Sequence, residues 1–167
     1  MRQRLQGALL GPLAKLWDRM PVAWRRRLLF ATNDHFLIGV VGLLTDQNDR
    51  VLLLEHRFRT PWRWGLPGGF INRGESINSG LKRELLEEVG LAIEVDPQPL
   101  DWEMNGRGGY LSLTLKGRVP HPPTNLEIRS AEILSGGFFG PDELPEDLYP
   151  YHRTLALHHF GRKSLHS

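Results

Sequence analysis

The chain has 167 residues, of which 40% are hydrophobic and 24% charged, a length and balance that suit one soluble globular domain with a real core. It contains no cysteine, which excludes disulfides and thiolate chemistry, and no apolar run approaches the roughly 20 residues of a membrane span. The net charge of +2 conceals an asymmetry: in the first 30 residues Arg2, Arg4, Lys15, Arg19, Arg25, Arg26 and Arg27 face only Asp18, so a basic appendage precedes a mildly acidic body.

In chain order, Leu5, Leu9, Leu13, Leu16, Trp17 and Met20 recur at helical spacing and predict a first helix with one apolar face. Pro21 breaks it, and Val22 to Phe30 form a second short helix. This extension, residues 1–33, is expected to pack on the domain or on a twin subunit as a homodimer. Two rival readings are a helix lying on a membrane surface and a transit peptide; the absence of serine opposes the second. Lys15, Asp18 and Arg19 interrupt any secretory core, and the expected location is cytoplasmic.

The second segment, residues 34–167, mixes strands and helices. Phe36 to Leu44 reads as a buried strand, Asp46 to Asp49 as a turn and Val51 to Glu55 as a second strand. Residues 57–69, rich in Pro, Gly, Arg and Trp, form a structured loop. Ser76 to Val89 is helical, with Ser76 as N-cap and Gly90 as the C-terminal glycine. Ile93 to Val95, Leu100 to Glu103 and Tyr110 to Val119 are further strands, with a turn at Arg107-Gly108-Gly109. Phe138-Phe139 ends another strand, Pro141 to Leu144 starts a short helix, and Tyr151 to Phe160 is a terminal helix. The predicted class is an α/β domain with a mixed sheet.

Chemistry concentrates on the central helix. Glu84, Glu87 and Glu88 are spaced i, i+3, i+4 and project from one face, while Leu81, Leu85 and Val89 form an adjacent apolar face. Taken alone, the triplet reads most simply as a solvated acidic face. The preceding Leu66-Pro67-Gly68-Gly69 changes this, because glycines let backbone approach a ligand and aim a carbonyl at a metal. Oxygen-only ligands favour Mg²⁺ or Mn²⁺. Arg83, four residues before Glu87, can pair with it and steady the array.

The segment Gly69 to Leu91 resembles the signature of the Nudix hydrolase family, G-x5-E-x7-R-E-U-x-E-E-x-G-U with U aliphatic. Gly69, Glu75, Arg83, Glu84, Leu85, Glu87, Glu88, Gly90 and Leu91 fill every defined position. The resemblance implies a Nudix-type mixed β-sheet sandwiched between helices. It also implies hydrolysis of a phosphoanhydride bond in a nucleoside diphosphate linked to another group, such as a nucleoside triphosphate, nucleotide sugar or ADP-ribose. A non-catalytic nucleotide sensor on the same fold is the alternative. The partner expected is therefore a nucleotide-type small molecule, with no specific nucleic acid. Glu84, Glu87 and Glu88 would be metal ligands, joined by the carbonyl of Gly68, with Arg83 orienting the carboxylates and Glu75 supporting the loop-helix junction. The family often adds a later acid before an aromatic pair; here the pair is Phe138-Phe139 and the acid is Glu132. The general base would be Glu84 or Glu132.

Arg57, Arg59 and Arg63 with Trp62 and Trp64 are candidates to grip phosphates and stack on a base, against the simpler reading of one core tryptophan and solvated arginines. Some branches of the family carry a tyrosine downstream of the signature; Tyr110, 19 residues after Leu91, is the candidate. His152, His158 and His159 lack carboxylate or cysteine partners for zinc and are expected on the surface of the terminal helix.

Overall fold

The apolar run of the first predicted strand has no polar alternation, and the fold explains why for residues 39–44, where both faces are buried; Phe36, Leu37 and Ile38 are exposed. The structure, a computed structural model, describes residues 14–33, 35–105 and 109–163. It divides into two units, residues 1–36 and 37–167.

In the first unit, residues 14–19 are helical and α1 spans Val22–Thr32 after Pro21. Arg25, Arg26 and Arg27 lie at three different angles around α1, so its apolar residues do not merge into one stripe, and none of its eleven residues is buried. Leu5, Leu9 and Leu13 of the predicted first helix lie outside the described residues, as do Arg107 and Gly108 of the predicted turn.

The second unit comprises β1 (Leu37–Thr45), β2 (Val51–His56), β3 (Trp64–Gly65), β4 (Gly68–Phe70), α2 (Ile77–Val89), β5 (Glu94–Asn105), β6 (Tyr110–Arg118), β7 (Ile133–Phe139) and α3 (Pro150–Lys163). The sheet runs β3-β2-β1-β6-β5, with β4 added to β1 and β7 to β2. β1 and β6 are parallel and the other pairs antiparallel, so the sheet is mixed. β1 is the fork: it meets β2 only at Thr45↔Val51 and meets β4 at Gly39 to Val41.

Strand periodicity then splits the core in two. Val40 and Leu44 of β1 and Leu52 and Leu54 of β2 pack with Leu81, Leu85 and Val89 of α2. The alternate residues Val41, Leu43, Val51 and Leu53 pack with Leu66, Leu148 and Leu155, against Tyr151 and Phe160 of α3. The sheet is thus sandwiched between α2 and α3, as the resemblance implied.

Three details differ from the sequence expectations. Ile93 to Val95 and Leu100 to Glu103 belong to one segment, since β5 runs through Pro97 and Pro99 with register shifts on either side of Pro99. An edge strand paired only with β6 tolerates those missing N–H groups. Residues 141–144 form a turn and not a helix: Gly140 N–H donates to the Glu143 carboxylate at 2.9 Å, and Pro145 disfavours helical backbone at Leu144. The loop of residues 57–69 holds the short strands β3 and β4.

Leu85 is completely buried against β1 and β2, whereas its neighbour Leu86 is 49% exposed. Leu85→Ala should therefore lower the unfolding free energy by about 2–5 kcal/mol. Leu86→Ala should change it by less than about 0.5 kcal/mol. Urea unfolding of both variants checks the orientation of α2.

Candidate active site

Local signals fix the register of α2. Ser76 Oγ accepts the Ser79 N–H at 3.1 Å, and Gly90 closes the helix at φ 67°. With Leu81, Leu85 and Val89 anchored, helical geometry turns Glu88 inward, where it is only 9% exposed. Arg83 gathers the other carboxylates. Its Nε donates to Glu75 Oε1 at 3.0 Å, its Nη1 to Glu84 Oε1 at 2.9 Å and Glu87 Oε2 at 3.1 Å, and its Nη2 to the Phe70 carbonyl at 2.9 Å. These charge-assisted bonds hold the loop after β4 against α2 and raise the Arg83 pKa, with Glu75 the largest cause.

Glycine is required where this loop crosses the helix. A Cβ on Gly69 would collide with the Glu84 carboxylate, and one on Gly68, at φ 145°, would strike the Val40 carbonyl. Gly42 N–H donates to Pro67 O and Ile71 N–H to Ile38 O, which leaves Gly68 opposite Val41 in a non-hydrogen-bonded pair. Its N–H and C=O are therefore not consumed by β1, and the N–H serves the Glu88 carboxylate.

Glu88 is raised to a pKa of about 7, first by burial and then by Glu84, with a smaller contribution from Glu132; Arg59 and the Gly68 N–H pull the other way. Its Oε2 is buried without a hydrogen-bond partner. Glu88 lines a cavity of about 730 Å³ together with Gly68, Gly69, Arg83, Glu84, Arg59, Trp62, Tyr110 and Glu132.

The structure thus brings together, across 73 residues of sequence, most of the residues singled out above. Glu87 is different: its side chain is 60% exposed, pairs with Arg83 and does not line the cavity. Among the described residues no three acidic or histidine side chains converge as a ready metal cluster, and Arg83 occupies one oxygen each of Glu84 and Glu87. Arg57, Arg63 and Trp64 also lie away from the cavity lining. Arg57 Nε donates to the Ala131 carbonyl, Arg63 pairs with Glu55 at 3.4 Å, and Trp64 packs edge-on against Phe139 in the α3-side core. Arg59 remains in the cavity, where burial lowers its pKa while Glu88, Tyr110 and Glu132 oppose that.

The expectation of surface histidines on the terminal helix fails for His152 and His159, which are buried; His158 is exposed. His152 Nδ1 accepts the Leu66 N–H at 3.0 Å, which docks α3 on the strand region beside the cavity. His159 lies 3.0 Å from Asp49. His56, at the end of β2, also lines the cavity, with a buried Nε2 that has no partner. Neither His56 nor His152 belongs to a sequence motif, and no local signal marks them. Glu103, Ser112 and Tyr149 also line the cavity and were not singled out as site residues.

A NUDIX domain model matches residues 35–157, the span that contains every buried hydrophobic core residue and the whole cavity lining. The chain belongs to the Nudix family. A MutT-like protein of Streptomyces ambofaciens is 28% identical over 65% of this chain and 67% of its own length. The NAD-capped RNA hydrolase NudC of Photorhabdus laumondii is 27% identical over 70% of this chain, which spans only 43% of that relative. The crystal structure of a NUDIX hydrolase from Nitrosomonas europaea superposes with a TM-score of 0.68 at 19% identity, covering 81% of this chain and 76% of that one. Among the described residues of this Nudix chain, no helix is long and apolar enough to cross a membrane.

Burial of His56 and His152 has a measurable cost in acid. Both pKa values are lowered to about 3, chiefly by burial and then by Arg59. Below pH 6.5 the unfolded chain takes up these protons while the folded chain does not, so stability falls as the pH drops from about 6.5 towards 3. The slope approaches about 1.4 kcal/mol per pH unit for each histidine. Denaturant unfolding at pH 7, 6 and 5 should show a shallower loss for His56→Gln than for wild type. Identical slopes would disprove the neutral, buried state of His56.

Proposed function

We propose that the chain is a divalent-metal-dependent hydrolase that cuts a phosphoanhydride bond in a nucleoside diphosphate linked to another moiety. The observation that carries this reading is Glu88: a carboxyl group buried at the fork of the sheet, with an oxygen that nothing satisfies, facing Glu84 and Glu132. A buried carboxyl in that state costs stability unless a cation meets it. The donor set fits a hard ion such as Mg²⁺ or Mn²⁺, with Glu84, Glu88 and the Gly68 carbonyl as holders. When bound, the ion supplies charge neutralisation for the phosphates and a lowered pKa for coordinated water.

The chain's own residues supply the rest. Arg83 orients Glu84 and Glu87 and ties down the glycine loop. Arg59, partly desolvated inside the cavity, binds phosphate oxygens by charge-assisted hydrogen bonds. Trp62 and Tyr110 offer flat apolar surface to the nucleoside. Glu132 acts as general base, because it lines the cavity from a loop outside α2, while one oxygen of Glu84 is committed to Arg83. The basic extension, residues 1–33, stands outside the hydrolytic machinery, and the location remains cytoplasmic in this reading.

Three outcomes test it. Because the proton on Glu88 competes with the metal, affinity for Mn²⁺ should rise about tenfold per pH unit up to about pH 7 and level off above it. Titration calorimetry between pH 5.5 and 8 that finds no pH dependence contradicts ligation by Glu88. Glu88→Gln should lower kcat by orders of magnitude at saturating metal with little change in folding; near-wild-type turnover would refute the assignment. Glu132→Gln should lower kcat far more than it raises KM and shift the pH-rate profile. Glu127→Gln should behave as wild type, since Glu127 is exposed and paired with Arg129 at 2.7 Å.

A further inference from the structure

One row of the sheet leads away from the metal-facing loop. Phe70 of β4 pairs with Gly39 of β1, Gly39 with Ser112 of β6, and Ser112 with Glu103 of β5. Three strand spacings place the Glu103 backbone about 14 Å from that of Phe70. The span suits a phosphate-sugar-base unit laid across the row.

The floor between the two ends is flat. Gly39 has no side chain, and the Tyr110 ring lies over it, so that a Cβ there would collide with the tyrosine hydroxyl. Phe70 stands edge-on to Tyr110 at 5.8 Å between centroids, and Trp62 lines the same cavity. Aromatic surface of this kind accommodates a planar base.

At the far end stands a carboxylate. Glu103 lines the cavity, and its Oε1 accepts the Tyr149 O–H at 3.0 Å. Tyr149 is itself held by its N–H to the Trp64 carbonyl at 2.9 Å. A carboxylate has about four acceptor positions, and this bond takes one. Among the described residues no arginine, lysine or histidine forms an ion pair with Glu103. A negative group in a cavity for a polyanion repels the phosphates. It therefore disfavours a phosphate beside Glu103 and favours a neutral hydrogen-bond donor there.

We propose that Glu103, positioned by Tyr149, is a specificity-determining residue that accepts hydrogen bonds from the amino edge of a nucleobase. The inference rests on the nucleotide-substrate reading above and names which part of the nucleotide is read at this end. An acceptor left unsatisfied by an analogue without the amine penalises that analogue, which gives a base preference that aromatic stacking alone does not supply.

Binding of nucleoside 5′-monophosphates tests this without any hydrolysis. Calorimetry compares guanosine with inosine monophosphate, and adenosine with purine-riboside monophosphate; each pair differs by an exocyclic amine. Wild type should favour the amine-bearing member of at least one pair by about tenfold, and Glu103→Gln should remove most of that preference. Tyr149→Phe, which keeps the carboxylate but releases it, should reduce the preference partway with an unchanged fold by circular dichroism, and it carries the test if Glu103→Gln does not fold. The proposal is overturned if wild type binds no monophosphate or shows no amine preference. It is also overturned if both variants keep the wild-type preference, or if only removal of the ribose hydroxyls weakens binding, which assigns Glu103 to the sugar. A wild-type enzyme that hydrolyses no nucleotide yet shows the Glu103-dependent preference rejects the hydrolase reading alone.

Discussion

Removing the Glu88 carboxyl group from water is the constraint around which the domain is arranged. Such burial costs several kcal/mol unless charge or hydrogen bonds compensate, so something else must force it. The force is hydrophobic anchoring of α2: Leu81, Leu85 and Val89 are fully or almost fully buried. With those three positions fixed, the residue next to Val89 and three after Leu85 is carried to the inner flank of the helix. The Gly68 N–H and Arg59 offset part of the cost, and Oε2 stays unsatisfied. Arg83 serves the same end by drawing together Glu75, Glu84 and Glu87, whose mutual repulsion would otherwise oppose docking of the helix.

The forked sheet makes room for that carboxyl. β1 meets β2 at a single register position and turns its other half to β4, so the two halves of the sheet diverge and leave the cavity between them. The opening is bordered by elements that need no bulk there. Gly68 and Gly69 pass close to β1 and Glu84, and Gly39 leaves space for the Tyr110 ring. α3 closes the far side, docked by the Leu66 N–H to His152 and the Tyr149 N–H to Trp64. A neutral imidazole is suited to that position: it accepts a hydrogen bond while adding no charge beside Arg59.

The cavity is electrically mixed. Arg59 lies within reach of Glu88 and Glu132, while Glu103, which accepts the Tyr149 O–H, has no cationic ion-pair partner among the described residues. Each carboxylate repels a negatively charged ligand and the guanidinium attracts one, so the positions open to a ligand's charge are set by which of these groups it meets.

Much of this architecture is legible in the residues themselves. Ser76 and Gly90 mark the ends of α2, the i, i+3, i+4 spacing marks its acidic face, and the Nudix signature from Gly69 to Leu91 links that face to the glycine loop. These are local signals, carried by capping chemistry and helical period, and they hold wherever the chain is placed. The single course of β5 through Pro97 and Pro99 was not legible, because only its edge position makes those prolines tolerable. Tertiary structure alone decided which acids face one another. Glu87 turns outward although it sits in the same motif as Glu88, while Glu132 reaches the cavity from a distant loop. Tertiary structure also decided that Trp64 is core and Trp62 is not, and that His56, His152, Glu103 and Tyr149 share one cavity. The physical reason is that burial and cavity membership depend on packing between strands and helices far apart in sequence, and spacing along one element carries no record of what packs against it.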